Sequence, residues 1–108
     1  MKLIEITLDH GRIPFDENGF VDWLVDAEPG DATAYYRGHL SHDRCESTKV
    51  HSPEDRRRLV AIAKRALAAQ ESGSVHLVQR RLGEADFLYI AVRAAQRLTG
   101  SRVSIRLG

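Results

Sequence analysis

The spacing of hydrophobic and polar positions changes several times along this chain, and each change marks an element. Residues 2–8 alternate weakly through Ile4, Ile6 and Thr7, which predicts a short strand. His10-Gly11 and Pro14 then interrupt regular structure. Phe20, Val21, Trp23, Leu24 and Ala27 share one broad face of a helix over 19–27, for which Asn18 is a suitable cap. Glu28-Pro29-Gly30-Asp31 stops that helix and turns the chain into an extended segment, 33–37, favoured by Tyr35 and Tyr36. Strand alternation sends one of these rings into the core and leaves the other exposed.

Residues 38–51 are polar apart from Leu40 and Val50, and predict a short helical turn near 41–45 followed by a loop. Ser52 opens the clearest element. It is a good N-cap, Pro53 suits the first helical position, and Glu54 and Asp55 favour the positive helix end. Asp55, three residues after Ser52, is placed for a variant of the capping box. From 56 to 69 there is no proline or glycine, and Gly73 ends the helix. Leu59, Ile62, Ala63, Ala66 and Gln70 fall on one face, with Val60 and Leu67 at its margin. Arg57, Ala61, Lys64, Arg65 and Ala68 fall opposite, with Arg58 at their edge. Residues 75–82 and 87–93 then read as a hairpin reversed by Gly83-Glu84-Ala85-Asp86. Beyond it, 94–98 is open between a short helix and a loop, and 102–107 alternates like an edge strand.

This order predicts an α+β fold, a small winged-helix-like domain with a long helix and a β-hairpin packed in a small antiparallel sheet. At 108 residues the chain fits a single domain, 1–108, with its core region over 19–93. The lone Cys45 permits no intrachain disulfide, and no apolar run approaches a bilayer-spanning length. A cytoplasmic protein with no membrane partner is expected.

Charge adds a second pattern. Residues 1–50 carry ten acidic and five basic side chains, net −5, whereas 51–108 carry eleven basic and five acidic ones, net +6. The positive half offers two patches to nucleic acid: Arg57, Arg58, Lys64 and Arg65 on the long helix, and Arg80-Arg81 before the hairpin turn. Arginine forks can pair with guanine edges, and the remaining cations hold phosphates. The helix offers few Asn, Gln or Ser side chains to read bases, so non-specific or shape-guided binding is expected. Arg80 and Arg81 point to opposite faces of their strand. Glu84 and Asp86 at the turn oppose close phosphate approach. Asp22 and Asp26 share a helix face, but sequence gives them no convergent carboxylates for a two-metal site.

His39, His42, Cys45 and His51, spaced H-x2-H-x2-C-x5-H, are each able to hold zinc, but not at the spacing of a paired-cysteine site. They are also expected to be ordinary loop residues, and no metal or cofactor is assigned. The chain has no phosphate loop, dinucleotide fingerprint or nucleophile elbow.

The segments PGD at 29–31, YYRGHL at 35–40, the 53–71 helix and VHLVQRR at 75–81 together resemble small, functionally uncharacterised proteins of bacterial prophages. The resemblance covers 23–93. It implies a bacterial or phage setting and carries no named activity. The resulting expectation is a prophage-associated DNA-binding or accessory protein, not an enzyme, with double-stranded DNA as partner. The alternative is a non-enzymatic interaction module that meets an acidic protein, or a homodimeric structural protein.

Overall fold

Asp16, two residues ahead of the expected Asn18, caps the first helix: its Oδ1 accepts from the Gly19 N–H at 2.9 Å. Helix α1 therefore starts earlier than the apolar spacing indicated and runs Glu17–Asp26. The computed structural model describes residues 8–95. The strand expected over 102–107, all of the one expected over 2–8 except Leu8, and most of 94–98 lie outside the described residues.

After α1 come β1 (Ala32–Gly38), the short α2 (Leu40–Asp43), a 3-10 turn (Glu46–Thr48), α3 (Pro53–Glu71), β2 (Val75–Gly83) and β3 (Asp86–Arg93). The strands form an antiparallel sheet in the order β1-β3-β2, with the β2–β3 hairpin giving two of them. This is a small α+β domain with a winged-helix-like element order. Among the described residues no helix is long and apolar enough to cross a membrane.

Helix α3 forms for the local reasons its sequence advertises. Ser52 Oγ accepts from the Asp55 N–H at 3.1 Å and Pro53 occupies the first turn. The Asp55 carboxylate does not complete a capping box but accepts from Arg58 at 3.0 Å. Ser52→Ala should cost about 1 kcal/mol, the usual value of such a cap, in urea unfolding. An unchanged midpoint would mean that α3 is fixed by packing alone.

The helix buries Leu59, Ile62, Ala63, Ala66 and Ala69. Gln70, expected on this face, is exposed instead, and its Oε1 accepts from the Leu77 N–H at 3.0 Å. One core cluster gathers Leu59, Ile62, Ala66 and Ala69 with Phe20, Tyr35, Tyr36, Val75, Tyr89 and Ala91, between helices and sheet. The other face of the sheet carries Ala34, Leu88 and Ile90, with Leu8, Ala32 and Val92 against them.

The two tyrosines do not split between faces. A register shift in β1 between Ala34 and Tyr36 interrupts alternation. Both rings consequently enter the same core, Tyr35 at 4% exposure and Tyr36 at 0%. Trp23 stays half-buried, its ring centroid 5.7 Å from that of Phe20. It acts as a core anchor.

Candidate nucleic-acid interface

The outward side of α3 is built by helical spacing. Once Leu59, Ile62 and Ala66 face the core, Arg57, Ala61, Lys64 and Ala68 must face away. Arg57 and Lys64 are exposed, and Arg56 is half-buried beside them. These three cations make no ion pair among the described residues. They border a shallow groove whose floor is Val60 and Ala61 and whose far side is Glu17.

The other two cations of the helix patch are engaged. Arg58 pairs with Asp55 within α3 at 3.0 Å. Arg65 reaches across to α1, where its Nη2 and Nε lie 3.0 and 3.1 Å from Glu17 Oε2. The basic face is thus partly neutralised by the acidic half of the chain, through Glu17 and not through Asp22, Asp26 or Glu28. Arg57, Lys64 and Arg56 keep their charge open to a partner. Both engaged pairs are about half exposed, so each remains available to exchange.

At the hairpin, Arg80 stands opposite Leu88 and Arg81 opposite Phe87. Leu88 belongs to the outer cluster and Phe87 packs against the helix-side core, so the two arginines do lie on opposite faces. Arg81 donates through Nε to the Gly83 carbonyl at 3.1 Å, which bends it toward the turn. Of the two acids at this turn, Asp86 is already neutralised. Arg37 of β1 grips it with a fork, Nη2 at 2.8 Å and Nε at 3.2 Å. That contact holds the Asp86 carboxyl below its ordinary range, outweighing desolvation. The repulsion expected at the hairpin tip therefore falls mainly on Glu84.

The histidine–cysteine segment does not converge on one point. Among the described residues no group of three or more His, Cys, Asp or Glu side chains is placed to hold a metal. Cys45 Sγ donates to the Ser41 carbonyl at 3.3 Å. His42 and His51 are drawn instead into a network around Asp43 that sequence reasoning missed. Asp43 is 5% exposed. Its Oδ2 accepts from the Tyr36 hydroxyl at 2.6 Å and from the His39 N–H at 3.1 Å, while Oδ1 lies 3.0 Å from His42 Nδ1. His51 Nε2 is 2.8 Å from the same Tyr36 hydroxyl. A phenol has one proton, and with that proton given to Asp43 the hydroxyl accepts from His51 Nε2–H.

Burial acts to raise the Asp43 pKa, but the bonds from Tyr36, His42 and the His39 N–H prevail and hold its carboxyl below the ordinary range. Burial, with the Asp43 bond, pushes the Tyr36 phenol far above its usual value. Tyr35 is pushed up to about 12 by burial and by Tyr89. None of these phenols ionises near neutrality. Gly38 makes the network possible: at φ +148° a Cβ there would lie 2.5 Å from Asp43 Oδ2 and 3.0 Å from Tyr36 Cε2. The network is a structural clamp that fixes α2 against β1 just ahead of α3.

No protein-family model matches this chain, and neither a curated protein nor a solved structure matches it.

Proposed function

We propose that this chain is a non-enzymatic DNA-binding or accessory protein that holds duplex DNA by its backbone, through the outward face of α3 with help from the hairpin. The observation that carries the reading is the set of Arg57, Lys64 and Arg56, which lack ion pairs among the described residues. Ala61 and Ala68 lie on that same face, and their short side chains allow a phosphate backbone to approach the helix closely.

Two features narrow the class of nucleic acid. All seven aromatic rings of the chain belong to one core cluster or pack against it, so none is offered on the outward face of α3 as a stacking platform. Binding of single strands relies on such platforms, whereas duplex backbone binding relies on cations. The outward face between 53 and 68 also carries no Asn, Gln, Ser or Thr for base edges. Weak sequence preference follows.

The test is fluorescence anisotropy with a duplex of random sequence. Binding is expected at about 50 mM salt, with log K falling against log salt at a slope of about −3 to −5, as for three to six neutralised phosphates. A single strand of the same length should bind more weakly. Folded protein that shows no duplex binding at low salt defeats the reading. The Arg65–Glu17 contact supports a second reading, in which the basic face meets an acidic protein surface. Capture of an acidic partner by folded protein that ignores duplex DNA is the result that would favour it.

A further inference from the structure

We propose that the cleft between α2 and the β2–β3 hairpin is a binding site for a small aromatic phosphomonoester. This site is separate from the α3 face and does not depend on the DNA reading. The cleft has a volume of about 260 Å³ and is lined by His39, Leu40, Ser41, Arg44, Gln79, Phe87 and Tyr89. No carboxylate lines it among the described residues. Asp43 lies behind it on α2, but its charge already takes donors from Tyr36, His42 and the His39 N–H.

The lining is rich in unused donors. Arg44 is exposed and forms no ion pair among the described residues. The Tyr89 hydroxyl accepts from the Leu40 N–H at 2.9 Å, while its own proton has no acceptor among the described residues. His39 contributes its ring to the wall, its Nδ1 being buried away from the cleft. Ser41 and the Gln79 amide add two more donors at the wall. A guanidinium fork with several neutral donors and no opposing acid suits a group with three terminal oxygens better than one with two.

The apolar part of the wall sets the rest of the ligand. Phe87 is half-buried, with its ring centroid 5.9 Å from His39 and 6.2 Å from Tyr89. It offers a ring surface at the cleft, which suits an aryl group or a base attached to the phosphate. The phosphate belongs at the Arg44 and Ser41 side, and the ring at the Phe87 side.

The experiment titrates the full chain with phenyl phosphate and follows backbone amide shifts. Saturable shifts are expected at Ser41, Arg44, Gln79 and Phe87 below about 10 mM ligand. Inorganic phosphate should bind several-fold more weakly because it leaves Phe87 uncovered, and benzyl alcohol should not saturate. Arg44→Gln should weaken phenyl phosphate about tenfold or more, the usual loss of a charged hydrogen bond. Arg57→Ala with Lys64→Ala should leave it unchanged, which separates this site from the DNA face. Shifts confined to α3, or equal binding by Arg44→Gln, would overturn the site. Displacement of phenyl phosphate by duplex DNA would reassign the cleft to the nucleic-acid backbone and overturn the small-ligand proposal.

Discussion

Asp43→Ala should destabilise the protein by about 3 kcal/mol at neutral pH, because it strips the acceptor from three donors in a buried setting. The Tyr36 hydroxyl, the His39 N–H and His42 Nδ1 all lose their partner at once. They do not suffer equally. His42 is 56% exposed on its side chain and turns to water. Tyr36, at 0% exposure, can turn its proton toward His51 Nε2 if that ring changes tautomer. Deleting both Asp43 and His51 removes this escape, so Asp43→Ala with His51→Ala should cost more than the two single changes together, by about 1 kcal/mol or more. Additive costs in urea unfolding would show that Tyr36 is not shared between them.

The pH dependence has a definite sign. A carboxyl held below its ordinary range stabilises the fold at pH values above its unfolded pKa, and that contribution is lost as pH falls through the folded value. The gap between wild type and Asp43→Asn should therefore be full at pH 7 and shrink below about pH 4. Asparagine keeps one acceptor oxygen, so its cost at neutral pH should be smaller than that of alanine. A gap that widened on acidification would contradict the charge assignment.

This clamp also marks the boundary of what the chain discloses as sequence. Helix α3 and the hairpin were legible because their signals are local: a Ser-Pro start, an alanine-rich apolar face, β-forming runs around a glycine turn. The Asp43 site has no local signal. A single aspartate in a polar stretch looks solvated, and its partner Tyr36 comes from a strand whose alternation predicted one ring outward. Only the register shift between Ala34 and Tyr36 brings that hydroxyl inside. The same limit applies to Gly38, whose missing side chain matters because Asp43 and Tyr36 close around it. For the basic face, helical spacing placed Arg57 and Lys64 outward correctly. It could not foresee that Glu17 would claim Arg65, since that depends on the packing of α1 against α3.

That packing leads to the largest effect expected on binding. Arg57→Ala combined with Lys64→Ala removes two exposed cations and should weaken duplex binding about 10- to 100-fold at low salt, with the salt slope falling by about 2. Neither residue has an ion pair to lose among the described residues, and alanine is a good helix former at exposed positions, so the fold should persist. Glu17→Gln should act in the opposite direction. It releases Arg65 and removes a negative charge from the groove beside Arg56, Arg57 and Lys64, so binding should tighten several-fold. Its stability cost should be small, since a half-exposed pair contributes about 0–1 kcal/mol. Asp22→Asn with Asp26→Asn serves as the control for net charge alone, because both residues are exposed, Asp22 in the middle of α1 and Asp26 at its last position, and neither borders the groove. If that control tightens binding as much as Glu17→Gln does, DNA responds to overall charge and not to the α3 face. A larger response at Glu17, with a loss at Arg57 and Lys64, locates the contact on the surface where α1 and α3 meet.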